Sequence, residues 1–191
     1  MSENFQKYSK LLQIDIEHFE DFFSLLRCIT LEKGELFLKQ DDECQYIGFV
    51  KHGTMRSFYI SESGNDISFN FHFINQFFAD YESLLYYKKS KLNIEAVQRT
   101  ELLILHKEDL KKLYEKGAYW QEFGRKMKEK LYIDAKKRIE DLLYYTPEKR
   151  YINLMTENPS IFQEISQKQI ASYLGVTPQS LSRIRKRIFI S

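Results

Sequence analysis

The chain has 191 residues, 43% hydrophobic and 29% charged, with a formal net charge of +2. That composition belongs to a folded globular protein, and no run approaches the roughly 20 apolar residues a membrane helix needs. The opening MSENFQKYSK lacks the apolar core of a secretory signal, so a cytoplasmic protein without membrane association is expected.

Chain order begins with a short amphipathic stretch (Phe5, Tyr8, Leu11, Leu12) and a second helical pattern over residues 16–26. From 29 to about 105 the character changes to short aromatic and β-branched runs: LFL at Leu36, YIGFV from Tyr46, RSFYI from Arg56, ISFNFHF from Ile67, LNIEAV from Leu92 and ELLIL from Glu101. Turn-forming stretches such as Lys33-Gly34, Lys51-His52-Gly53 and Ser63-Gly64-Asn65-Asp66 separate them, which predicts an antiparallel sandwich or barrel. Aromatic residues in such a fold are core by default. Phe69, Phe71 and Phe78, with Asp80 and Tyr81 beside them, are nevertheless candidate linings of a small-molecule effector pocket.

Helical periodicity then returns, first in KEDLKKLYEKG and then over 118–145. Trp120, Phe123, Met127, Leu131, Ala135, Ile139 and Leu142 recur at steps of three or four and form one apolar stripe between charged flanks. Either the chain's own strands or the same helix of a second subunit covers it. The helix is long for a domain of this size, which favours the dimer. Pro147 ends the helix, a short helix follows over 148–156, and Asn158-Pro159 breaks the chain again. The predicted division is therefore a strand-rich part over 1–117, a long helix over 118–146 and a C-terminal helical part over 147–191.

The last unit can be read from its caps. Ser166 with Gln169 forms a capping box, with Ile165 and Ile170 as its staple, so one helix starts at Gln167. Gly175 suits the left-handed position that stops this helix, and Thr177 before Pro178 starts another. So short a connection is that of a helix-turn-helix. On the second helix Leu181, Ile184 and Ile188 share one side, while Gln179, Ser182, Arg183 and Lys186 share the other, flanked by Arg185 and Arg187. Arginine and glutamine can read guanine and adenine edges, and the remaining cations can neutralise phosphates. The helix starts at Ser166 and Thr177 add phosphate anchoring. The segment 165–191 has no Asp or Glu but carries Lys168, Arg183, Arg185, Lys186 and Arg187, so the rest of the chain has a net charge of −3. The expected partner of the basic end is a polyanion.

LEKGELFLKQDDECQYIGFVKHGTMRSFY, IEAVQRTELLIL and QKQIASYLGVTPQSLSRIRK together resemble the Crp/Fnr family, the catabolite activator protein and its relatives, across nearly the whole chain. The resemblance implies an α+β fold: an N-terminal double-stranded β-helix, or jelly roll, of cyclic nucleotide-binding type, then a long dimerisation helix and a C-terminal helix-turn-helix. It also implies a homodimeric transcriptional regulator on near-palindromic double-stranded DNA, with recognition helices about 34 Å apart and RNA polymerase as a candidate further partner. Gln179, Ser180 and Arg183 would then lie at or beside base-reading positions, with Ser166, Gln167 and Lys186 near phosphates.

The departures from the family matter equally. Ala79-Asp80 stands where nucleotide-binding members have Gly-Glu, and Leu92-Asn93 falls in the place of Arg-Ser. Without that arginine a buried cyclic phosphate has no charge partner, so control by cyclic nucleotide is not expected. The family's iron–sulfur cluster needs four cysteines, and only Cys28 and Cys44 are present; these read as reduced structural thiols, with a redox pair as the alternative. His72 or His106 could serve as a heme ligand, but isolated histidines in strands are more often structural. No wing is expected after Phe189-Ile190-Ser191, so binding should lean on the helices and on dimer avidity. His18, His52, His72 and His106 lack the spacing of a metal-dependent cupin, and no GxSxG, P-loop, HExxH or GxGxxG occurs. No enzyme, metal or cofactor is expected. The alternative is a β-roll sensing cyclic nucleotide or another small molecule, whose C-terminal helices dock a protein.

Overall fold

The computed structural model describes residues 14–159 and 161–190; the stretch with Phe5, Tyr8, Leu11 and Leu12 lies outside them. Helix α1 (Ile16–Ser24) leads into eight strands: β1 (Arg27–Leu31), β2 (Leu36–Leu38), β3 (Tyr46–His52), β4 (Met55–Ile60), β5 (Asp66–His72), β6 (Phe77–Phe78), β7 (Leu92–Ala96) and β8 (Thr100–His106). A short helix α2 (Tyr81–Tyr86) interrupts them. Then follow α3 (Lys107–Glu115), α4 (Ala118–Tyr144), α5 (Pro147–Glu157), α6 (Ile161–Glu164), α7 (Gln167–Tyr173) and α8 (Pro178–Ile190).

The strands form two four-stranded antiparallel sheets, in the orders β1-β8-β3-β6 and β2-β7-β4-β5, stacked as a jelly roll. Alternation along the strands turns Leu38, Val50, Met55, Ile94, Ala96, Leu102 and Ile104 inward, where they close one core between the sheets. Gly48 on β3 is required by this packing. A Cβ there would stand 2.3 Å from the Phe78 ring, which lies across it from β6. The outer face of the first sheet, through Phe49, Leu103 and Leu105, carries a second cluster built from Phe22 of α1, Leu110 and Leu113 of α3 and Trp120 of α4.

Helix α4 runs 27 residues, about 40 Å. Its stripe is divided. Trp120 is buried and Phe123 half-buried within the second cluster, and Met127 is half-buried. Leu131, Ala135, Ile139 and Leu142 are exposed in the single chain, joined by Tyr132 and Leu143 on the adjoining flank. Trp120 and Phe123 are thus core residues of their own chain rather than part of a face open to a second subunit. Around the helix, Arg125 pairs with Glu122 and Glu129, Lys130 with Asp134 and Lys136 with Glu140. Such pairs favour an exposed helix only slightly, because solvent screens them.

Four elements have no counterpart among the runs named in the sequence: β1, β6, α2 and α6. No helix among the described residues is long and apolar enough to cross a membrane.

Candidate nucleic-acid interface

The C-terminal helices follow the local code closely. The Ser166 hydroxyl accepts from the Gln169 amide, and the Gln169 side chain accepts from the Ser166 amide, closing the capping box that opens α7. Gly175 takes φ +67°, and the Val176 amide returns to the Ala171 carbonyl. The Thr177 hydroxyl accepts from the Ser180 amide at 3.1 Å, with Pro178 in the first turn of α8. Ile170, Ala171 and Leu174 then pack against Leu181 and Ile184 over Tyr151, Leu154, Ile161 and Ile165.

This packing leaves Gln179, Ser182, Arg183 and Lys186 exposed along α8, and Gln167 and Lys168 exposed at the start of α7. The five positive charges of the segment are not equivalent. Arg187 pairs with Glu148 of α5. Arg185 is half-buried and hydrogen-bonds Tyr151, whose phenol burial pushes up and Arg185 draws back down. Arg183 and Lys186 have no ion-pair partner among the described residues. The Ser180 hydroxyl accepts a hydrogen bond from Thr177 and so serves the turn. A cleft of about 550 Å³ between α5 and α8 is lined by Pro147, Val176, Ile184, Arg183 and Lys186. On the opposite side α4 braces the unit: Arg138 lies 3.7 Å from the Tyr173 ring centroid and donates to the Tyr173 carbonyl.

The five candidate effector-pocket residues do not share one site. Phe78 is sealed in the β-roll core, edge-on to Phe37 and stacked on His72. Phe69 is exposed beside Tyr59, and Tyr81 is half-buried. Phe71 faces outward into the helix-turn-helix core, 5.2 Å from the Tyr173 ring. Asp80 caps α2, accepting from the Ser83 amide at 3.2 Å and from the Ser90 hydroxyl at 2.7 Å. The residue that meets Asp80 is therefore Ser90. Leu92 and Asn93 are buried in β7, where Asn93 accepts from the Gln40 amide.

Neither candidate heme ligand stands free. His72 is buried with Nε2 2.8 Å from the Ser57 hydroxyl, and burial alone holds its pKa down to about 4. His106 caps α3 by accepting from the Glu108 amide. Both cysteines are free: Cys28 is exposed, and Cys44 is buried with its thiol pushed up by desolvation. No three His, Cys, Asp or Glu side chains gather as a metal site among the described residues.

Sequence reasoning missed a polar junction between the β-roll and α7, formed by Thr54, Arg56, Asp66, Ser68, Glu95 and Gln98 on one side and Glu164, Gln169 and Ser172 on the other. Its one local signal is Arg56, a cation inside a strand otherwise built of aromatic and branched residues.

A jelly roll, one long helix and a basic helix-turn-helix make up the fold, and solved structures share that arrangement. Residues 28–116 match the family described as the cyclic nucleotide-binding domain. Over most of its length the chain has the fold of Crp/Fnr regulators. FixK2 from Bradyrhizobium japonicum superposes with a TM-score of 0.75 at 19% identity, covering 86% of this chain and 85% of that one. A chain from Eubacterium rectale assigned to the Crp/Fnr family of transcriptional regulators gives 0.72 at 19%, covering 93% and 85%. The catabolite activator protein of Thermus thermophilus gives 0.53 at 21%, covering 93% and 86%. These structural neighbours are regulators rather than enzymes. No curated protein matches the sequence.

Proposed function

We propose that the chain is a sequence-specific DNA-binding transcriptional regulator that acts as a homodimer, organised as a β-roll (1–117), a dimerisation helix (118–146) and a DNA-binding unit (147–191). One observation carries the reading: the exposed face of α8 is free of acidic residues and offers Gln179, Ser182, Arg183 and Lys186, and the two cations have no ion-pair partner among the described residues. Arg183 and Gln179 have the donor patterns that read base edges, while Lys186, Lys168 and Gln167 supply phosphate contacts. Arg185 and Arg187 add positive potential from the flank, since their guanidinium groups already serve Tyr151 and Glu148. The exposed part of the α4 stripe, Leu131, Ala135, Ile139 and Leu142, is the face that joins two subunits.

Control by cyclic nucleotide is not part of the proposal. The Asp80 carboxylate itself takes up the Ser83 amide and the Ser90 hydroxyl, so it sets a negative charge where a phosphate would have to approach.

The test is selection of purified full-length protein on a library of random duplexes, beside an Arg183→Ala/Lys186→Ala variant. Enrichment of a two-fold symmetric sequence by the wild type, and its loss in the variant, is the expected result. Equal, unenriched recovery by both proteins rejects the reading.

A further inference from the structure

The helix-turn-helix is not held by α4 alone; it sits on the open edge of the β-roll. Strand β5 is the last strand of its sheet, so alternate backbone groups along it face away from β4 without a ladder partner. Ser172 of α7 meets two of them. The Ser68 amide donates to its hydroxyl at 2.9 Å, and that hydroxyl donates to the Asp66 carbonyl at 3.2 Å. Residues 66 and 68 are two apart and therefore point to the same side of the strand, so one serine continues the ladder where a ninth strand would lie.

The contact extends to both sides. Glu164 accepts from the Thr54 hydroxyl at 2.5 Å and from the Gln98 side chain at 3.1 Å, and the Gln169 amide group donates to Glu95 at 3.4 Å. Phe71 and Val97 enter the helix-turn-helix core from the β-roll. Beneath the seat lies Arg56, 2% exposed. Its guanidinium donates to Glu95 at 2.9 Å, to the two carboxylate oxygens of Asp66 at 2.7 and 2.6 Å and to the Ser68 hydroxyl at 3.0 Å. Three residues that form the seat are thus fixed by one buried cation, whose own charge those carboxylates offset.

We propose that this edge of β5 is an intramolecular docking surface that fixes the orientation in which α8 is offered to DNA, with Arg56 as the positioning residue below it. The inference rests on the DNA-binding reading. Gln179, Ser182, Arg183 and Lys186 remain exposed while the seat is occupied, so the seat presents the recognition face rather than hiding it. A helix-turn-helix held in place before DNA arrives avoids an ordering cost that a loosely tethered one bears on binding.

The test uses full-length Glu164→Ala/Ser172→Ala, which removes the hydrogen-bonding groups of the seat and leaves α8 untouched. Three quantities are read: amide hydrogen exchange at Ser68, affinity for the duplex the wild type enriches, and affinity for an unselected duplex. In the wild type the Ser68 amide should be protected. In the variant it should exchange faster while the strand's inward amides stay protected, and affinity for the enriched duplex should fall about tenfold. Affinity for the unselected duplex should not change, whereas general loss of folding would lower both. Fast exchange at Ser68 in the wild type overturns the seat itself. Faster exchange in the variant with unchanged affinity for the enriched duplex overturns its role in presenting α8. Failure of the wild type to enrich any duplex counts instead against the regulator reading, because the exchange measurement needs no DNA.

Discussion

His72 lies wholly inside the β-roll, stacked on Phe78, with the Ser57 hydroxyl as its hydrogen-bond partner and no carboxylate to compensate a charge. Burial holds its pKa down to about 4, against 6.5 for the free side chain. Between those values the unfolded chain binds a proton that the folded chain refuses, so the stability contributed by neutral His72 is complete above pH 6.5 and is lost as pH falls towards 4. The wild type should therefore lose about 2 kcal/mol more stability between pH 7 and pH 5 than His72→Gln, which keeps a polar partner for Ser57 but does not titrate. Urea unfolding at the two pH values measures this; equal losses in both proteins would show that the imidazole is reached by water. The cations of α8 illustrate the same limit of sequence at single residues. Arg183 and Arg187 are both exposed cations of one helix, and the sequence does not show that Glu148 of α5 engages Arg187.

At the scale of elements, α4 presents an apolar surface that the described residues of its own chain do not cover beyond Met127. Ile139 is 57% and Leu143 83% exposed, and in the proposed dimer a second copy of the helix buries them. Ile139→Glu should weaken the dimer about a hundredfold or more, since each of two copies loses roughly 1.5–3 kcal/mol of burial. Sedimentation equilibrium over a range of concentrations reads that change, and an unaltered association constant would move the interface elsewhere. The stripe from Trp120 to Leu142 was legible because helical periodicity records that a face is apolar; what covers it depends on where the helix outruns its domain, and this periodicity cannot record. Capping is more explicit. Ser166 with Gln169, Gly175, and Thr177 before Pro178 each satisfy backbone groups within a few residues, so both helix starts could be read in advance. Strand β6, of two residues, and α2, of six, are too short to carry a period, and Asp80 with Ser83 shows its cap only once the turn is seen. The seat on β5 was illegible for a different reason: Ser172 and Asp66 are 106 residues apart and meet only through the tertiary fold.

For the whole molecule the decisive property is the separation of charge: the acid-free segment 165–191 carries five cations, while the remainder has a net charge of −3. In the proposed DNA complex, binding through such an end is driven by release of counterions from the phosphates, so affinity should fall steeply and linearly on a logarithmic salt axis. The arrangement of α8 makes the expectation specific to residues. If Lys186 neutralises one phosphate in each subunit of a dimer, Lys186→Ala should reduce the magnitude of the salt slope by about 2. Arg187→Ala should reduce it less, because Glu148 already offsets that charge in the free protein. Titration of a fluorescent duplex at several salt concentrations gives both slopes. Equal reductions would mean that the Arg187–Glu148 pair opens on the DNA, and a slope untouched by Lys186→Ala would place the phosphate contact on another cation, Lys168 at the start of α7 being the next exposed candidate.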